Sequence, residues 1–207
     1  PVISGIVMLK YKRKRSDRYT VTVMEHIILY GSRYGSTRRY AGRLSELTGI
    51  PVADYHEALP LKGKTYMIYL GSLYAGGVSG VKKTFRNLAL RPGQKLMIVT
   101  VGLADPGISE NRENIRRSLQ KQLPAGIYGA ADLFHLRGAI DYEKLSLSHR
   151  TMMSLLYRSL KNRPSGEWSA EDRALMETYG KQVDFVDFDT LQPVVERIRE
   201  WENERLH

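Results

Sequence analysis

The sequence predicts an α/β domain: a doubly wound parallel sheet of five strands in the order 2-1-3-4-5, with a helical insert after strand five. Three observations predict it. Short apolar runs alternate with segments of helical period. The strand-like runs are apolar at consecutive positions, which suits a sheet covered on both faces. Five such runs in this rhythm suit a strand order in which ligands sit beyond the carboxyl ends of the strands, where the order reverses.

The elements follow in order from residue 24. Residues 26–30 (HIILY) read as a buried strand, and 36–48 as a helix with Tyr40, Ala41, Leu44 and Leu47 on one face. Residues 50–55 make a weaker strand and 66–70 (YMIYL) a strong one. Residues 79–90 have helical period, with Val81, Phe85, Leu88 and Ala89 facing inward, and 95–101 (KLMIVTV) form strand four after the turn Arg91-Pro92-Gly93. A helix over 110–123, with Ile115 and Leu119 on its apolar side, leads to strand five at 131–136 (ADLFHL). The last helix, about 190–204, carries the stripe Leu191, Val194, Val195, Ile198 and Trp201, with Asp187 or Asp189 as its cap.

The segment 141–183 is too long for a simple connection. It contains a helix rich in Met and Leu over 151–160, a polar break at 161–166 and a second helical piece near 170–179. The stripe Met152, Met153, Leu155, Leu156 reads first as core; an apolar quinone or a membrane surface is the other occupant such a stripe suits.

Composition removes several chemistries. The 207 residues suit one domain with a real core, 42% hydrophobic and 26% charged. The absence of cysteine excludes disulfides, thiolate zinc sites, iron–sulfur clusters and cysteine nucleophiles. The five histidines show no ligand spacing, so no metal is expected. No apolar run approaches the roughly 18 residues of a membrane span.

The net charge is +10, and residues 1–23 hold six basic residues against Asp17 alone. That block reads as a basic N-terminal extension to a domain of 24–207. Its charges follow the apolar start and no small-residue cleavage site follows, unlike a secretory signal. Three readings stay open for it: an extension or misplaced start before Met24, an extra edge hairpin, or an arm for nucleic acid or anionic lipid. No function is assigned to it, and nucleic acid is not an expected partner. A chain beginning at Met24 is expected to fold and to keep its ligand; insoluble or ligand-free protein would overturn this.

The loop after strand one is the most informative segment. Gly31 leads through Ser32, Arg33, Tyr34, Gly35, Ser36 and Thr37 straight into a helix. A phosphate there meets unpaired amides, the positive end of the helix dipole and the hydroxyls of Ser32, Ser36 and Thr37. Gly35 permits close approach or a positive φ. The glycine spacing fits neither a Walker A loop, which needs Gly-Lys-Ser/Thr, nor a dinucleotide fingerprint. The other reading of the loop is a plain hydroxyl cap on a helix.

Residues 28–41, ILYGSRYGSTRRYA, resemble the phosphate loop of flavodoxin-like proteins. More narrowly, the chain is similar to the branch containing the quinone-linked, oxygen-independent protoporphyrinogen dehydrogenases. The further matches are residues 71–78 (GSLYAGGV) after strand three, 100–104 (TVGLA) after strand four, and 136–142 (LRGAIDY) running on to the Met/Leu helix. The resemblance implies an FMN held without a covalent bond. It implies that Ser72, Leu73, Tyr74, Ala75, Gly76 and Gly77 border the isoalloxazine ring, with Tyr74 stacked on its face and the Gly76-Gly77 peptide turning a carbonyl toward flavin N5. Val101, Gly102, Leu103, Ala104 and Asp105 would supply donors to the pyrimidine side. Plainer readings stand beside these: an exposed tyrosine, an ordinary turn and a generic strand-to-helix connection, with Asp105-Pro106-Gly107 a turn. Arg33 either pairs with the phosphate or lies in solvent. The branch carries a helical insert near the flavin edge.

Soluble flavodoxin shuttles are acidic, whereas this chain is basic even without residues 1–23. A positive surface suits anionic partners and an anionic reduced flavin. The expectation is an FMN-dependent oxidoreductase or electron-transfer flavoprotein, cytoplasmic or membrane-peripheral. Its partners would be a redox protein, a quinone or an anionic small molecule. The alternatives are a protoporphyrinogen dehydrogenase with a quinone acceptor and a non-catalytic binding module. No catalytic side chain is singled out, because the flavin carries the chemistry.

Overall fold

The computed structural model describes residues 25–57, 61, 63–74 and 76–206. The basic extension and Ala75 lie outside the described residues.

The sheet runs β2-β1-β3-β5-β6, all parallel, with the short β4 antiparallel to β3. Its strands are β1 (His26–Gly31), β2 (Val52–Asp54), β3 (Tyr66–Tyr74), β4 (Gly77–Val78), β5 (Lys95–Gly102) and β6 (Ala131–Arg137). Without β4 this is the expected 2-1-3-4-5 order. The chain steps outward from β1 to β2 and returns across β1 to β3, so the order reverses between β1 and β3.

Helices cover both faces. The helices α1 (Ser36–Thr48) and α7 (Gln192–Leu206) pack on one face. There Tyr40, Leu44, Leu191, Val194, Ile198 and Trp201 meet Ile28, Ile68, Leu70, Met97 and Val99. On the other face lie α2 (Val81–Phe85), α3 (Ser109–Gln122) and α4 (Ala125–Ala130), where Phe85, Ile115, Leu119 and Ile127 meet Ile27, Leu29, Met67, Tyr69 and Ile98. The central strands thus bury consecutive residues because alternate side chains feed two cores.

Three expectations are corrected. The segment 79–90 holds only the five residues of α2, because the αL turn at Gly80 (φ +76°) starts it late and Leu88 closes a turn onto Phe85. The weak strand 50–55 pairs over only three residues, after which Tyr55–Glu57 tightens into a 3₁₀ turn. Asp187 caps not the last helix but the 3₁₀ turn Phe188–Leu191 before it, accepting from the Asp189 amide.

The insert is a closed excursion. Its two ends pair as an antiparallel ribbon, β7 (Ala139–Asp141) with β8 (Gln182–Asp184), so the chain leaves and re-enters the domain at one place. Between them stand α5 (Leu147–Lys161) and α6 (Ala170–Thr178). Aromatic contacts tie the unit together: Tyr157 stacks on Tyr179 at 4.0 Å, and Tyr142 meets Tyr179 edge-on at 5.3 Å. A capping box starts α6, with Ser169 Oγ accepting from the Asp172 amide and Asp172 Oδ2 accepting from the Ser169 amide, both at 3.1 Å. Ser169→Ala is expected to cost about 1 kcal/mol, felt locally. Amide exchange should quicken in α6 and stay unchanged in α1; uniform quickening or none would contradict the local role.

Candidate functional site

The carboxyl ends of β1, β3, β5 and β6 converge on a cavity of about 290 Å³ at the point where the strand order reverses. At this end Gly31 lies in register with Gly71. A Cβ on Gly71 would sit 2.3 Å from Val78 Cγ1, so the β3–β4 hairpin folds back over the sheet only because that position is bare.

The first loop reaches the cavity through Arg33, Tyr34 and Ser36. Ser32, Gly35 and Thr37 stand behind them. Gly35 caps α1 in the left-handed region (φ +94°) and donates its amide to Ser32 Oγ at 3.1 Å. The first turn of α1 carries no carboxylate, Ser36 is buried, and Thr37 is fully buried with Oγ1 lacking any hydrogen-bond partner among the described residues. A buried hydroxyl without a partner is costly. Beside the free amides and positive dipole of a helix start, it suits an anionic acceptor. Arg33 is exposed, as one of its two expected places had it, and its guanidinium lies over the Tyr74 ring, 4.3 Å from the centroid.

The second loop supplies Ser72, Leu73, Tyr74 and Gly76 to the lining. Tyr74 is not a free surface tyrosine. Besides Arg33 it meets the His149 ring at 4.3 Å, and its hydroxyl reaches Met152 Sδ at 4.0 Å. Gly77 faces a second cavity instead, one lined also by Leu73, Tyr74 and Gly76. The Gly76 carbonyl, expected to turn toward the ring, accepts a hydrogen bond from Ser118 Oγ on α3. Gln122 holds the same hairpin, accepting from the Val78 amide at 3.1 Å while its Nε2 donates to Ser118 Oγ at 2.9 Å.

From the third loop, Val101, Gly102 and Leu103 line the first cavity. Two of its carbonyls are already engaged. Gly102 O accepts from the Gly138 amide at 2.7 Å, and Leu103 O accepts from Arg137 Nε and Nη2, both at 3.2 Å. Ala104 lines only the second cavity. Asp105 lines neither; its Oδ1 accepts from the Gly107 amide and its carbonyl from Asn111 Nδ2, both at 2.7 Å, which closes the expected turn.

The fourth wall comes from the insert: Gly138, Ala139, Ile140 and Leu145, then His149, Met152, Met153 and Leu156 of α5. The Met/Leu stripe is not core. Leu155 and Leu156 are 62% and 47% exposed and Leu147 81%, whereas only His149 and Leu160 of α5 are buried. The helix roofs the cavity with one side and shows apolar residues to solvent with the other. His149 is the residue the sequence reading missed. Its Nε2 is buried without a partner among the described residues, and its pKa lies below the usual histidine value because burial, and then the Arg33 charge, disfavour the imidazolium. Its signal is a lone polar residue inside an otherwise apolar helical stripe.

Among the described residues the lining therefore combines hydroxyls at one end, a continuous aromatic wall of Tyr34, His149 and Tyr74, and one cation, Arg33, with no carboxylate. That donor set fits a flat aromatic group with an anionic tail. Among the described residues no group of three or more His, Asp or Glu side chains is placed to hold a metal, and no helix is long and apolar enough to cross a membrane.

The sequence of residues 27–165 matches the family model described as "Flavodoxin domain". Among solved structures the chain is similar to a single-residue mutant of flavodoxin from Pseudomonas aeruginosa, at 16% identity and a TM-score of 0.36, over 74% of this chain and 99% of that one. No curated protein matches.

Proposed function

The chain belongs to the flavodoxin-domain family, and we propose that it is an electron-transfer flavoprotein holding FMN non-covalently in the cavity at the sheet's switch point. The observation that carries this reading is the Thr37 hydroxyl at the start of α1, fully buried and without a partner among the described residues, beside the cavity wall formed by Ser36.

Each part of the lining has a task in this reading. Ser36, Thr37 and the first amides of α1 hold the phosphate, with Gly35 shaping the turn and Ser32 accepting the Gly35 amide. Tyr74 and His149, whose rings meet at 4.3 Å, together border one side of the ring, and His149 is kept neutral there. Met152, Met153 and Leu156 exclude water from the redox end. Arg33 is the one charge among the described lining residues and opposes no negative charge there. When bound, the flavin supplies reversible one- or two-electron transfer, and the protein supplies position and electrostatics.

A second reading is favoured by the insert, whose apolar helix roofs the cavity: oxidation of protoporphyrinogen with a quinone as acceptor. Purified protein should be yellow, with flavin bands in its visible spectrum and FMN released on denaturation. Colourless protein that does not take up FMN on titration would refute both readings. Turnover of protoporphyrinogen with menaquinone, absent with one-electron carriers, would select the second.

A further inference from the structure

A second cavity, of about 490 Å³, opens beside the first and shares with it Leu73, Tyr74, Gly76, Leu103, Met153 and Leu156. Its remaining walls divide sharply by character. Ile115 of α3 and Ala174 and Leu175 of α6 continue the apolar lining. Asn114, Arg117, Ser118 and Lys121 recur three or four residues apart and so present one polar face of α3. Two of the four are cations, and no carboxylate lines the cavity among the described residues. Arg117 donates to the uncharged Asn114 Oδ1, and neither Arg117 nor Lys121 joins an ion pair among the described residues. An apolar cavity whose only charges among the described residues are two solvent-exposed cations at one edge, Arg117 and Lys121, suits a molecule with an apolar body and an anionic end.

We infer that this second cavity binds an apolar organic carboxylate, its body against Leu73, Met153 and Leu175 and its carboxylate against Arg117 and Lys121. The occupant would lie across the shared wall from the flavin. That adjacency rests on the FMN reading proposed above; the preference for an anionic amphiphile rests on the cavity alone.

The test uses FMN-loaded protein with 1-pyrenebutyrate and its uncharged counterpart 1-pyrenebutanol, read by fluorescence titration. Pyrenebutyrate should bind at least fivefold more tightly than the alcohol. That preference should vanish in the R117Q/K121Q protein, whose FMN affinity stays unchanged because neither residue lines the first cavity. Pyrene emission overlaps flavin absorption, so bound pyrenebutyrate should be quenched when FMN is loaded and bright when it is removed. Equal affinity for acid and alcohol would overturn the inference. So would an undiminished preference in R117Q/K121Q together with lost binding to phosphatidylglycerol vesicles, which would place these cations on a lipid surface instead. Selective binding of pyrenebutyrate by protein that takes no FMN would refute the flavin reading while sustaining the carboxylate cavity.

Discussion

Replacing Thr37 by valine is expected to weaken FMN binding at least tenfold while leaving the flavin-free protein as stable as the parent or more so. The two effects have opposite signs for one reason. In the free fold the Thr37 hydroxyl is fully buried with no partner among the described residues, an arrangement that costs about 1–3 kcal/mol and that an isosteric methyl relieves. In the loaded protein the same hydroxyl would donate to a charged phosphate oxygen, a bond worth about 1.5–3 kcal/mol. A residue that merely caps the helix would behave otherwise, its loss costing stability and leaving affinity alone. Gly35 supplies the companion test. Its φ of +94° is hostile to β-branched residues, yet a Cβ there would meet nothing within 4 Å. Gly35→Val should therefore lose affinity through backbone strain alone, and Gly35→Asn, which tolerates the left-handed region, should recover most of it. Flavin fluorescence titration measures the affinities and urea unfolding the stabilities. Unchanged affinity in Thr37→Val, or a destabilised flavin-free protein, would remove the phosphate reading of this loop.

Most of the fold was legible because its physics is local and periodic. Helix α1 begins and ends where the apolar spacing and flanking glycines place it, and the stripe from Leu191 to Trp201 is buried throughout. The short helix α2 ends before its apolar period does, since Leu88 has the right spacing but belongs to a turn closing on Phe85. The ribbon of β7 and β8 was not legible. Three residues pair there across some forty positions of chain, and no periodicity announces so short a ladder.

The site was half legible for a related reason. Loops at strand ends can be ranked once the strand order is known, and ten predicted residues from three such loops line the first cavity. What a tertiary contact decides was hidden. Nothing in the sequence says that Ser118 engages the Gly76 carbonyl, that Arg33 lies over Tyr74, or that Arg137 occupies the Leu103 carbonyl. The Met/Leu stripe of α5 shows the same limit. Its composition is that of a core helix, and only the placement of the insert over the mouth of the sheet turns it into a roof.

Acidification should expose a second consequence of burial, centred on His135. This residue of β6 pairs across the sheet with Thr100, whose hydroxyl lies 2.8 Å from Nδ1, while Nε2 is buried without a partner among the described residues. A proton on the ring would place a charge where no acceptor waits. Burial, reinforced by the charges of Arg116 and Arg112 on α3, lowers the pKa from 6.5 to about 4. The unfolded chain therefore binds this proton before the folded one does. Stability from His135 is complete above about pH 6.5 and drains as the pH falls toward 4, a loss of about 2–3 kcal/mol by then. His26 and His149, also lowered chiefly by burial, add to the slope in the same direction. Unfolding in urea at a series of pH values should show wild-type stability falling through this window, with a shallower fall in His135→Gln, whose amide still reaches Thr100. The difference between the two profiles isolates His135 from the carboxylates of Asp141, Asp184 and Glu204, which titrate alike in both proteins. Parallel profiles would mean that the imidazole finds a proton acceptor in the folded state, and that the pairing of β5 with β6 is not what acid attacks.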